Sequence, residues 1–177
     1  MTDQSGTPAV NSLIDLFSIA YQIELDAVER YTMLAAQMDR HNNVELAAVF
    51  RDLARAEGIH GAEIRRLAGD MDVATHARRV AKWKVTDSPE AADLSDAHYL
   101  MTRSEALQMA LAAEERALAY FRHVYDTVSD QQIKEQVRKF VEEESEHVDL
   151  CHRLLAKYPP AAANVAADDL DPPISQE

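Results

Sequence analysis

Apolar residues return every three or four positions along four separate stretches of this chain, with polar residues between them. Phe17, Ala20, Ala27, Tyr31 and Leu34 make the first stripe, on a run that begins near Ser12 and reaches about Arg40. Leu46, Phe50, Leu53 and Ile64 make the second, which stops near Gly69. Leu107, Ala110, Ala117 and Phe121 make the third, and Val137, Phe140, Cys151 and Leu154 the fourth, which ends before Pro159 and Pro160. A period near 3.6 predicts four amphipathic helices, each with one face turned inward. Start signals precede each run. Ser12 is followed three residues later by Asp15, Thr102 likewise by Glu105, and Asn42–Asn43 and Ser129–Asp130 stand where caps belong. Residues 71–103 show no continuous period. Within them residues 73–85 are expected to form a short helix, broken by Ser88–Pro89.

Two links are short and one is long, so helices 1 and 2 form one antiparallel pair and helices 3 and 4 another. That is an all-α four-helix bundle with a single long crossover. The expected layout is an arm at residues 1–10, a bundle at 11–158 with its crossover at about 71–103, and a tail at 159–177. The tail is rich in alanine, proline and acid and is expected to be disordered in isolation. The bundle also reads as a duplication. Phe50, Leu53, Glu57, His60, Ile64 and Leu67 align with Val137, Phe140, Glu144, His147, Cys151 and Leu154, and Glu24, Ala27 and Tyr31 align with Glu114, Ala117 and Phe121.

Composition narrows the partners. A net charge of −13 argues against nucleic acid or an anionic membrane and favours attraction of cations. One cysteine excludes an internal disulfide and a four-cysteine metal knot. No apolar run approaches a membrane span, and the start shows neither a basic nor an apolar targeting region, so a cytoplasmic protein is expected.

The chemistry lies in the polar residues that interrupt the apolar stripes. Glu24, Glu57, Glu114 and Glu144 each fall on an inward face, one per helix. His60 follows Glu57 by three and His147 follows Glu144 by three, so each pair leaves the same side of its helix. Burying an unpaired carboxylate costs several kcal/mol, and four together would exceed a domain's net stability of roughly 5–15 kcal/mol. No lysine or arginine lies on these stripes near the four acids. Two divalent cations would balance the four charges, with two neutral imidazoles completing their shells. Oxygen and nitrogen donors without thiolate suit iron or manganese. The alternative is that all four acids lie on solvated faces. For Glu144 alone, inside the acidic run 142–146, that alternative would prevail; the shared register of the two Glu-x-x-His pairs favours the metal.

On these residues the chain resembles the ferritin-like superfamily, and within it the rubrerythrins and bacterioferritins, over about residues 13–157. The resemblance implies two iron ions, with manganese or zinc as substitutes. Glu57 and Glu144 would bridge them, Glu24 and His60 would complete one ion, and Glu114 and His147 the other. It also implies that Tyr31 lies beside the cluster and hydrogen-bonds a ligand; an ordinary core aromatic is the other reading. Two departures stand out. The four-cysteine rubredoxin module of rubrerythrin proper is absent, and Ala117 stands where rubrerythrins carry a further glutamate.

The implied activity is that of a di-iron oxidoreductase, oxidising Fe(II) or reducing H2O2 or O2, with an unidentified electron donor and assembly into a homodimer or larger homo-oligomer. Iron storage and di-iron hydroxylation are the alternatives. Cys151 is expected to be a packed thiol, and His41, His76, His98, His123 and His152 to be surface or supporting residues. Met33, Met38, Met101 and Met109 are read as packing rather than as haem ligands.

Overall fold

The structure, a computed structural model, describes residues 7–82 and 101–159. Its helices are α1 (Leu13–Arg40), α2 (Val44–Ala68), α3 (Val73–Val80), α4 (Arg103–Thr127) and α5 (Gln131–Lys157). The fold is all-α, and α1, α2, α4 and α5 are the four long helices that the periodicity predicts.

The caps explain where each helix begins. The side chains of Ser12, Asn43, Thr102 and Asp130 each accept a hydrogen bond from a backbone N–H in the first turn, satisfying donors that have no helical partner. Thr102 and Glu105 form a full capping box. Ser12 and Asp15 do not complete such a box at the Ser12 backbone N–H. The Asp15 carboxylate accepts from the Asn11 backbone N–H (3.1 Å) and meets the His76 ring (2.6 Å). The α1–α2 turn places Asn42 at φ 59°, the left-handed region that asparagine tolerates better than most residues. Asn43 Nδ2 then donates to the Met101 carbonyl at 3.2 Å, tying this turn to the start of α4.

The core falls into two apolar clusters. One gathers residues 16–23 of α1, Ile64 and Ala68 of α2, residues 120–124 of α4 and the opening half of α5 through Phe140. The other gathers the second half of α1, the first half of α2, Ala106 and Ala110 of α4, and Cys151 of α5. Membership fixes the directions: α1 and α5 run one way, α2 and α4 the other. The end of α2 and the start of α4 lie at opposite ends of the bundle, the arrangement of a bundle with one long crossover. Phe17 and Phe121 pack against Phe140, at 6.3 and 5.2 Å between ring centroids, and close the first cluster.

Three findings refine the sequence expectations. The short crossover helix ends at Val80, not at residue 85. The Ala81 backbone N–H still reaches Ala77, but its own ψ of 64° is not helical. Within the expected N-terminal arm, Pro8 is buried and its carbonyl accepts from the Tyr120 hydroxyl at 3.2 Å. His76 is neither on the surface nor beside the inward acids. It pins α3 to the first turn of α1 through Asp15, and Arg79 approaches its other nitrogen at 2.9 Å. The remainder of the expected arm (1–6), residues 83–100 of the crossover with Ser88–Pro89 and His98, and residues 160–177 of the expected tail lie outside the described residues. Among the described residues no helix is long and apolar enough to cross a membrane.

Candidate metal centre

Between the two apolar clusters lies a polar layer. Along α1, Glu24 separates Ile23 of the first cluster from Ala27 of the second; along α2, Glu57 separates Leu53 from Ile64. Glu114 stands between Ala110 and Phe121 on α4, and Glu144 between Phe140 and Cys151 on α5. The four glutamates are 2–5 % exposed and are the only acidic residues buried among those described. All four helices therefore deliver one carboxylate each to the same level of the bundle. The solvated-face alternative does not survive this burial.

The histidines close the layer on one side. His147 Nδ1 lies 3.3 Å from a Glu114 oxygen and 3.6 Å from a Glu144 oxygen. Its Nε2 lies 3.1 Å from His60 Nε2, with ring centroids 4.6 Å apart at 68°. Ligand-type atoms of Glu57, His60 and His147 lie within 4.8 Å of one another, and so do those of Glu114, Glu144 and His147. Glu24 belongs to neither close group; the charges of Glu57 and Glu144 act on it. Gly61 faces Glu24 from α2, where an added Cβ would meet the Glu24 Cβ at 3.5 Å, an ordinary contact.

The electrostatics are those of acids confined without enough counter-charge. Burial raises Glu24 well above the ordinary carboxylate range, and the neighbouring Glu57 and Glu144 charges raise it further. Burial, reinforced by Glu114, pushes Glu57 up to about 7. For His147, burial opposes the charged ring, yet hydrogen bonds to Glu114 and Glu144 and the Glu57 charge prevail and carry it to about 11. Burial and the His147 charge lower His60. A single imidazolium thus serves four carboxylates. One oxygen each of Glu24 and Glu57 is buried with no hydrogen-bond partner among the described residues, a condition proteins rarely leave uncompensated.

Tyr31 is fully buried, in the second apolar cluster, and stacks on Phe50 with centroids 6.1 Å apart. Cys151 is buried in the same cluster, as expected. Burial, with the charges of Glu114 and Glu57, pushes its thiol up to about 12 and keeps it protonated. Ala117 is fully buried and Glu115 exposed. One charged neighbour escaped the sequence reading. Glu143 is half-buried beside His147 and within electrostatic reach of Glu63. Its place one residue from Glu144 is the only sign the sequence carries.

No curated protein matches the chain. Among solved structures, an uncharacterised conserved protein from Magnetospirillum magnetotacticum MS-1 is 31% identical, with a TM-score of 0.62 over 86% of this chain and 99% of the other. The rubrerythrin family pattern matches residues 15–155, a span that includes all six polar residues of the layer. The chain belongs to the rubrerythrin family, within the ferritin-like superfamily.

Proposed function

We propose that the polar layer holds two iron ions and that the chain is an oxidoreductase, oxidising Fe(II) or reducing H2O2 or O2. The observation that carries this reading is the convergence of four buried glutamates, one per long helix, with two imidazoles and with buried carboxylate oxygens that lack partners. Glu57 and Glu144 would be shared between the two ions, with Glu24 and His60 helping to hold one and Glu114 and His147 the other. The donor set fits iron, with manganese or zinc as substitutes, since it offers oxygen and imidazole nitrogen and no thiolate. When bound, the iron pair supplies two electrons to the oxidant.

The side chains do the rest. Burial of the four glutamates keeps bulk water from the layer and holds the carboxylates where the cations need them. His147 must release its Nδ1 proton before that nitrogen can ligate, so metal uptake expels protons. Tyr31 is the neighbour assigned to hydrogen-bond a ligand. The fuller reading includes a homodimer or larger homo-oligomer in the cytoplasm and a separate electron donor.

Anaerobic Fe(II) titration followed by metal analysis tests the reading. Two ions per chain are expected, oxidised rapidly when O2 or H2O2 is admitted. A chain that binds no iron overturns the proposal, and iron taken up in large excess over the chain points to storage instead.

A further inference from the structure

The layer is not sealed on every side. Its four glutamates are buried, whereas His60 and His147 are only partly so, with 15 % of the His147 side chain exposed. Their rings touch between α2 and α5, so the least buried edge of the layer lies at this contact. These two helices run antiparallel. One turn onward from His60 along α2 is Glu63, and one turn back from His147 along α5 is Glu143. In antiparallel helices those steps lead to the same level, about 5 Å along the bundle from the histidine contact. The Glu63 charge is among those that act on Glu143, in keeping with the shared level.

The two acids differ in setting. Glu143 is half-buried, flanked by the charges of His147, Glu63, Glu146 and Lys139. Glu63 is exposed and held by Arg66, whose Nε donates to it at 3.0 Å. Beside the histidines lies Glu57, which is 2 % exposed and has one oxygen without a partner. A ligand atom of Glu57 lies within 4.8 Å of both rings. A cation arriving here would find an acidic rim, then two imidazoles, then an unpaired buried carboxylate oxygen.

We propose that Glu143 and Glu63 form a capture site for a hydrated divalent cation at the α2–α5 edge, through which metal reaches the inner six side chains. This rests on the reading of the layer as a metal centre. The rim site is transient by construction: two carboxylates, one already shared with an arginine, hold a hydrated ion less tightly than the buried set. Exchange of Arg66 for the cation frees Glu63 to bind. Glu143 and Glu63 are positioning residues that set the rate of loading, not the final stoichiometry.

Stopped-flow uptake of Co(II) by the metal-free full chain, followed by its visible absorption, tests this. The variants are Glu143→Gln, Glu63→Gln and the double change, with Glu29→Gln on the exposed face of α1 as a control for the lost charge. The double variant is expected to load at least about tenfold more slowly at low salt, the lower end of what local charge contributes to association. The difference should shrink at high salt, and the final cobalt per chain should equal that of the parent. Loading by the double variant at the parent's rate overturns the capture site alone, and so does equal slowing in Glu29→Gln. A lowered final stoichiometry also overturns it, since Glu143 would then be a ligand. If the parent takes up no cobalt, the metal centre itself fails and the capture site with it. Should Glu143→Gln fail to fold, the exposed Glu63→Gln carries the test, with severalfold slowing expected and an unchanged rate decisive against the proposal.

Discussion

Glu144 stands in an acidic run at 142–144 and 146, and composition does not distinguish one member from another. Register does. Val137 and Phe140 precede it by seven and four, so Glu144 turns inward, and in the structure it is buried while Glu142 and Glu146 are exposed. The other three acids are legible for the same reason. The His60–His147 contact is not, because it depends on how α2 and α5 approach, which no single-helix pattern encodes. Two predictions belong at this scale. Glu57→Ala and Glu144→Ala should each weaken both metals by more than about 100-fold, beyond the cost of losing a supporting hydrogen bond. Glu24→Ala should weaken mainly one ion, and competitive titration with a chelator reads the difference; undiminished affinity in Glu144→Ala would exclude it as a bridge. The second concerns Ala117, where rubrerythrins carry a glutamate. An alanine cannot ligate, and Glu115, about 100° around the helix, is exposed. Crystals of the oxidised and reduced forms should show His60 and His147 bound in both, with little movement of either ion. Entry of Glu115 into the shell would contradict this.

At the scale of elements, the long helices and their caps follow from periodicity, and α3 shows where periodicity stops being informative. Eight residues make about two turns, too few for a stripe to stand out, so the burial of Val73 and Ala77 becomes visible only in three dimensions. The clasp that holds it is polar. Burial tends to raise Asp15, but hydrogen bonds from His76, Ser12 and the Asn11 backbone outweigh that and hold its carboxyl below the usual value of 3.8. The side chains of Asp15 and His76 are each 13 % exposed, so their bond is shielded more than a surface pair. His76→Ala should cost about 1–2 kcal/mol in urea unfolding, near the value of a hydrogen bond to a charged group. A carboxyl lowered by folding contributes stability above its unfolded value, and that contribution disappears as pH falls through the folded value. The penalty in His76→Ala should therefore fade below about pH 4. A cost that is unchanged at pH 3 would assign it to packing instead.

The bundle as a whole was legible because two levels agreed: one long link between two short ones, and one inward acid on every long helix. What the sequence could not convey is that the acids divide the core into two apolar halves. A layer of unpaired charge there opposes folding unless protons or metals neutralise it, and the two neutralisers have opposite pH dependence. In the metal-free chain Glu57 is raised by burial from 4.5 to about 7, and Glu24 is raised well above its ordinary value by the same cause. A group raised by folding contributes stability below its unfolded value, and this is lost as pH climbs through the folded value. For Glu57 the loss begins near pH 4.5 and is complete just above pH 7, amounting to about 3 kcal/mol. His147 adds a loss of the same sign, beginning near its unfolded 6.5 and continuing towards about 11. The metal-free chain should thus melt higher at pH 5 than at pH 8. Bound cations displace those protons, so they stabilise most where the carboxylates are already ionised. Melting curves with and without metal should therefore diverge widely at pH 8 and converge towards pH 5. Coincident curves at pH 8 would mean that the layer tolerates its own charge, and the case for a metal centre would lose its energetic foundation.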